Sequence, residues 1–246
     1  METISRQSFL VTLIGFISIS WSLLASTQDH QELKAKCDSG DVEGCYELGR
    51  MLDGAHGVEE DKKEAFRLYE YGCENGHLYS CHSVSSFLLG GYGGAQIDVE
   101  RALELSERNC EKDHPQACTW VATIYLGMHG VLEPDSRKAV PFLEKACAYE
   151  DDATHASCAL YASFLALGRG VKQDDDKAIE IALRACEKGN GVSCWYIADG
   201  YYGKNDGYYR KLRRDDFKAL EYYQRGCELG RNEACGMIER AQKRVD

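Results

Sequence analysis

The sequence predicts an all-α fold: a right-handed α/α solenoid of five two-helix repeats plus a C-terminal capping helix, stapled by disulfides. Three observations carry that expectation. Twelve cysteines fall in neighbouring pairs whose first members are 36, 37, 37, 39 and 41 residues apart, and self-similarity at such a period marks a solenoid rather than a globule. Eight residues before the cysteine that opens each of the last five pairs stands an alanine: Ala65, Ala102, Ala139, Ala178 and Ala219. Four residues before each alanine stands an aspartate: Asp61, Asp98, Asp135, Asp174 and Asp215.

The first element is set apart from the repeats. An apolar run from Phe9 to Ala25 follows Arg6, the one positive side chain before it, and the small residues Ala25 and Ser26 close it. This is the layout of a secretory signal peptide, assigned to 1–25. An uncleaved membrane anchor is the alternative, because the run approaches the length that spans a bilayer. A mitochondrial presequence fits poorly, being Arg-rich and amphipathic where this segment has a single Arg ahead of an uncharged run. The remainder, 26–246, is expected to be the solenoid, with units at about 41–76, 77–113, 114–150, 151–189 and 190–230 and a cap at 231–246.

Within each unit the second helix, B, starts at the aspartate, whose carboxylate accepts free backbone N–H groups at the positive end of the helix dipole. In the first unit it runs from Asp61 to Cys73 and offers Ala65, Phe66, Leu68 and Tyr69 for packing, the small alanine allowing close approach of a neighbour. A turn follows, and the closing cysteine begins helix A of the next unit. Positions zero, three, four and seven from that cysteine share a helix face. They read Cys45, Leu48, Gly49, Leu52; Cys81, Val84, Ser85, Leu88; Cys118, Val121, Ala122, Tyr125; Cys158, Tyr161, Ala162, Leu165; and Cys194, Ile197, Ala198, Tyr201. An apolar stripe with a small residue at position four suits a closely packed face. Glycine-bearing turns such as Gly54, Gly91, Gly127 and Gly168 end the A helices. Pro141 lies inside the third helix B, where it removes a donor and is expected to kink the helix. The fifth unit has a longer turn, Gly203 to Arg214. From Arg231 a last helix A without a partner is expected, with Arg240, Lys243, Arg244 and Asp246 as its polar exterior.

Five cysteine pairs have seven intervening residues, and Cys147 with Cys158 has ten. An even number in an exported chain indicates a disulfide framework. Metal ligation is the competing reading, but zinc sites place two to four residues between paired cysteines, and no metal site is assigned. The short spacing favours Cys37–Cys45, Cys73–Cys81, Cys110–Cys118, Cys147–Cys158, Cys186–Cys194 and Cys227–Cys235, each joining the end of one helix B to the start of the next helix A. A net charge of −11, with no Lys/Arg cluster long enough to track a phosphate backbone, argues against nucleic acid and anionic membranes as partners.

The units resemble the SEL-one-like repeat family, relatives of the tetratricopeptide repeats, over roughly Gln31 to Val245. The phrase of Ala or Gly, Cys and Glu ending in Cys, at Gly72-Cys73-Glu74 through Cys81, Ala185-Cys186-Glu187 through Cys194 and Gly226-Cys227-Glu228 through Cys235, resembles its cysteine-rich branch, typified by the Helicobacter cysteine-rich proteins. That resemblance implies exported, bridged repeats in a secreted or periplasmic location. It also implies, as an alternative function, a weak β-lactamase or penicillin-binding hydrolase with a β-lactam or peptidoglycan-like ligand. A further alternative is an assembly factor in an oxidising compartment such as the mitochondrial intermembrane space, where similar bridged repeats occur.

The residues themselves give hydrolysis no motif. A serine β-lactamase needs a serine with a lysine three residues on, and Ser-Asp-Asn and Lys-Thr-Gly segments; none is present. The histidines, His30, His56, His77, His82, His114, His129 and His155, are scattered and are expected as exposed turn residues, and no cofactor is implied. Binding has more support. The position two after each closing cysteine points away from the packed face and reads Glu47, Ser83, Trp120, Leu160 and Tyr196. Trp120, Leu160 and Tyr196 are the candidate binding ladder for a protein or peptide partner. Tyr208, Tyr209, Arg210, Lys211, Arg213 and Arg214 form a basic aromatic island in the long turn, a second binding candidate suited to an acidic partner, with solvated loop as the favoured reading.

Overall fold

The computed structural model describes residues 28–55, 58–112, 114–149, 155–204 and 208–246; the signal-peptide assignment for 1–25 lies outside them, as does His56. Among the described residues every regular element is helical. The chain divides into two compact units, one ending at Leu105 and one running from Ser106 to Asp246. The first holds α1 (28–38), α2 (Val42–Arg50), α3 (Lys62–Glu74), α4 (Leu78–Gly90) and the start of α5 (Val99–Glu111). The second holds the end of α5, then α6 (Pro115–Tyr125), α7 (Ser136–Cys147), α8 (His155–Leu167), α9 (Asp175–Glu187), α10 (Gly191–Tyr202), α11 (Asp216–Glu228), α12 (Asn232–Cys235) and α13 (Ile238–Val245). Helices α2, α4, α6, α8 and α10 are the A helices, and α3, α5, α7, α9 and α11 the B helices. The solenoid therefore has a B-type helix, α1, ahead of its first repeat.

The recurring aspartate does two jobs. Its carboxylate accepts the N–H three residues on in every repeat: from Glu64 at 3.0 Å, Arg101 at 2.9 Å, Lys138 at 3.2 Å, Lys177 at 3.1 Å and Lys218 at 3.0 Å. Its own N–H donates to the carbonyl at position seven of the preceding helix A: Leu52, Leu88, Tyr125, Leu165 or Tyr201, at 2.7–3.1 Å. One residue thus caps helix B and closes the A–B turn, satisfying a donor and an acceptor that a tight helical hairpin would otherwise strand. The turn itself needs a left-handed residue, and Gly91, Gly127 and Gly168 supply it at φ 65°, 70° and 64°. Gly170 adds a steric reason: a Cβ there would lie 2.5 Å from the Ser136 carbonyl carbon at the start of α7.

The alanines Ala65, Ala102, Ala139, Ala178 and Ala219 are all fully buried. Their counterparts at position four of helix A are buried too, and Ser85 Oγ donates to the Ala102 carbonyl at 3.0 Å, showing how closely α4 and α5 approach. In the second unit one core takes Ala122, Leu143, Tyr161, Phe164, Leu165, Ile181, Ile197 and Tyr209. Each large apolar side chain there contributes roughly 1.5–3 kcal/mol of burial. Tyr125 and Tyr201, at position seven, are half-buried.

Disulfides link Cys37–Cys45, Cys73–Cys81, Cys110–Cys118, Cys147–Cys158, Cys186–Cys194 and Cys227–Cys235, with Cα separations from 4.4 Å to 4.8 Å. Helices tied that closely press the residues preceding the two cysteines together. At three joints one of those residues is glycine: a Cβ on Gly44 would meet Lys36 Cβ at 2.7 Å, on Gly72 Ser80 Oγ at 2.2 Å, and on Gly226 Ala234 Cβ at 3.0 Å.

Helix α7 runs from Ser136 to Cys147 with Pro141 inside it. Three expectations change. The C-terminal cap is two pieces, α12 and α13, interrupted at Gly236 and Met237. Arg244 of that cap is more than polar exterior: its guanidinium lies 3.5 Å from the Tyr202 ring centroid and donates to the Tyr202 carbonyl at 2.9 Å. The long fifth turn also packs. Tyr209 is 1% exposed and sits in the core at φ 52°, a left-handed conformation that a bulky residue adopts only when its surroundings impose it. Lys211 pairs with Asp176, and Arg214 with Asp216 at 2.7 Å.

An ionic network joins repeats three and four. Glu144 on α7 accepts from Lys177 on α9 at 2.8 Å and from the Tyr161 hydroxyl on α8 at 2.6 Å. The Lys177 and Tyr161 bonds hold the Glu144 carboxyl below its usual value of 4.5, and the Glu144 bond first, then Tyr161, holds the Lys177 ammonium above its usual 10.5. A depressed carboxylate stabilises the fold above its unfolded pKa and loses that contribution as pH falls through the folded one; a raised lysine contributes below its unfolded pKa and loses it as pH rises through the folded one. Both side chains are about half exposed, so Glu144→Gln is expected to cost only about 0.5–1 kcal/mol at neutral pH. Melting curves of both proteins across acid pH check this: the difference should shrink progressively below pH 4.5. A difference independent of pH would assign the loss to packing.

Candidate binding surface

The three ladder residues occupy the same register on α6, α8 and α10, all within the second unit, and all are half-buried. Helical geometry explains the placement. With position zero locked in a disulfide and positions three and four in the core, position two lies about 160° around the helix from position four, on the side away from the packed stripe, where neighbouring turn and core residues leave it half-buried. Each side chain therefore shows one face to solvent and one to protein.

Turn residues cover part of two of them. The His129 imidazole lies 4.4 Å from the Trp120 ring, and its Nε2 is 2.9 Å from Thr123 Oγ1. Burial lowers the His129 pKa from its ordinary value, so this ring is neutral at neutral pH. Tyr196 is stacked between Trp195 at 4.7 Å and Tyr208 of the long turn at 4.5 Å. Burial first, then the neighbouring Tyr208, pushes its hydroxyl up from 10.0. Leu160 leans on the main core. The result is one aliphatic and two braced aromatic positions rather than three freely rotating side chains. Trp195, which the Arg231 guanidinium approaches at 4.8 Å, widens the aromatic shelf. It lies outside the register of the ladder, and its signal in the sequence is its position directly after Cys194.

The first unit fills that register with Glu47 and Ser83, and its aromatic residues sit elsewhere. Tyr46, His77 and Tyr79 form a cluster, with Tyr46 4.7 Å from His77 and 6.0 Å from Tyr79. His77 is the N-cap of α4: its Nδ1 accepts the Ser80 N–H at 3.3 Å while Nε2 lies 3.2 Å from Glu43. His114 and His155 are buried. The expectation of exposed turn histidines therefore gives way for these three: each sits where a helix A begins, His77 bonded to it as its cap and His114 and His155 buried. All twelve cysteines are bridged, and among the described residues no group of three or more His, Cys, Asp or Glu is placed to hold a metal.

The Sel1 repeat model matches this chain five times, at 42–77, 78–114, 115–148, 155–190 and 193–230. The chain belongs to the Sel1 repeat family. Among solved structures, it is similar to a Sel1 repeat protein from Oxalobacter formigenes, with 20% identity and a TM-score of 0.68, covering 88% of this chain and 86% of that one. It is also similar to a protective antigen of uropathogenic Escherichia coli that displays an SLR fold, with 19% identity and a TM-score of 0.67. That match covers 87% of this chain but only 46% of the antigen, so the chain spans about half of its length. At such identities the likeness concerns the fold. A search of the curated proteins returns no match.

Proposed function

We propose that this chain is an exported Sel1 scaffold that binds a protein or peptide segment along the A-helix face of its second unit, with Trp120, Leu160 and Tyr196 as anchors. The observation that carries the reading is the recurrence of a large, half-buried apolar side chain at one register in three consecutive repeats. Aromatic anchors already braced by their surroundings lose little rotamer entropy when a partner covers them, which is where interface energy concentrates. Export is supported by the complete pairing of twelve cysteines, since such bridges persist in oxidising compartments. No helix among the described residues is long and apolar enough to cross a membrane.

The test is a displayed random-peptide library selected on the oxidised protein, followed by titration of the selected peptides. Trp120→Ala combined with Tyr196→Ala is expected to weaken binding by about a thousandfold, two hot-spot truncations at roughly 2 kcal/mol each. Helical content should stay unchanged, because neither side chain is fully buried. Selected peptides that bind the double variant as tightly as the parent would remove this surface as the binding face.

A further inference from the structure

We propose that Cys147–Cys158 is an exchange-competent bridge, which a dithiol opens ahead of the other buried disulfides while Arg184 holds the departing Cys147 thiolate. It differs from its peers in sequence, with ten intervening residues instead of seven. It also differs in surroundings. Both cysteines line a small cleft together with His155, Arg184, Ala185 and Lys188. The Arg184 guanidinium reaches Cys147 Sγ at 4.0 Å. His155 is 8% exposed, and its Nε2 makes no hydrogen bond among the described residues, leaving an uncommitted buried imidazole nitrogen in the same cleft wall.

A cation against sulfur favours the thiolate. It makes Cys147 the better leaving group and stabilises the reduced pair, so the bridge becomes more oxidising. The step balances as follows. The thiolate of an external dithiol attacks Cys158 Sγ and forms a mixed disulfide. The Cys147–Cys158 bond breaks, with its electron pair going to Cys147 Sγ beside Arg184. The second thiol of the dithiol then loses its proton and attacks its partner sulfur in the mixed disulfide, and Cys158 leaves as thiolate and is protonated. Two electrons pass to the bridge, the dithiol becomes a disulfide, and its protons end on the cysteines or in solvent. His155 serves as a local acceptor and donor for them. Opening this bridge releases the staple between repeats three and four while their side-chain packing persists.

The experiment equilibrates the folded protein in graded reduced and oxidised dithiothreitol, quenches with acid, alkylates free thiols and maps all six bridges by mass spectrometry. Cys147–Cys158 is expected to be half reduced at a ratio about tenfold less reducing than Cys110–Cys118 and Cys186–Cys194 require, equivalent to about 30 mV for a two-electron couple. Cys227–Cys235, whose cysteines are half-buried, controls for access; exposure speeds exchange without setting its equilibrium. Arg184→Gln should erase most of the tenfold gap and Arg184→Lys should retain it. In the unaltered protein the gap should close as pH falls and the Cys147 thiolate is protonated, a readout that depends on no variant. Reduction of this bridge together with or after its buried peers, or a gap unchanged by Arg184→Gln in a folded variant and by pH, would overturn the proposal.

Discussion

Full reduction of the six disulfides is expected to leave the chain largely unfolded at physiological temperature. Each bridge closes a short loop, worth about 2–3 kcal/mol in the chain-entropy account. Together they contribute on the order of 15 kcal/mol, as much as the whole net stability of an ordinary domain, about 5–15 kcal/mol. The placement makes the dependence stronger. Every staple sits at the joint between one helix B and the next helix A, and a repeat that loses its neighbour loses the surface that buries its own stripe. Glycines at these joints, Gly44, Gly72 and Gly226, admit the close approach but add nothing apolar to replace a broken bridge. Thermal melts followed by far-ultraviolet circular dichroism, with and without excess reductant, check the expectation. A melting temperature within a few degrees of the oxidised protein would show that helix packing alone sustains the repeats.

Much of this fold is legible in the chain because a solenoid repeats its instructions. The aspartate and alanine recur at fixed distances from cysteine, so each repeat is read against four others. The helix period then assigns the buried stripe that begins at Cys45, Cys81, Cys118, Cys158 and Cys194. What escaped is what does not recur. Helix α1 precedes the first aspartate of the series, and only Cys37 ties it to the pattern. The break at Gly236 and Met237 lies in the cap, where no second copy exists for comparison. The long fifth turn reads as solvated because its residues are polar and basic, yet Tyr209 is driven into the core and Tyr208 onto Tyr196. A packed turn of irregular length leaves no period to detect. The ladder of Trp120, Leu160 and Tyr196 could be found from register alone, whereas its covering residues His129 and Tyr208 depend on how each turn folds back.

Tyr223→Phe is expected to lower the stability of the fifth repeat by about 2 kcal/mol, the cost of losing a hydrogen bond to a buried charged group. Asp199 on α10 is 6% exposed and accepts from two donors, the Tyr223 hydroxyl of α11 and, at 2.8 Å, the Lys204 ammonium. Burial, then the Asp199 contact, holds the Tyr223 hydroxyl far above its usual pKa, so it donates at every physiological pH. Phenylalanine keeps the ring and removes only the donor, leaving the carboxylate to Lys204, which is itself a third exposed. For a chain of this size such a loss corresponds to a melting shift of about 4–8 °C. The ring of Tyr223 also packs beside Tyr202, against which Arg244 of α13 lies, and clusters with Ala234, Met237 and Ala241 of the cap. Hydrogen exchange should therefore accelerate first in α11 and α13, while α6 to α8 keep their protection. A double-mutant cycle separates the bond from the ring. With Asp199→Asn already in place the carboxylate is gone, and Tyr223→Phe should then cost less than half of its single-variant effect. An undiminished cost in that background would mean the hydroxyl matters for some other contact.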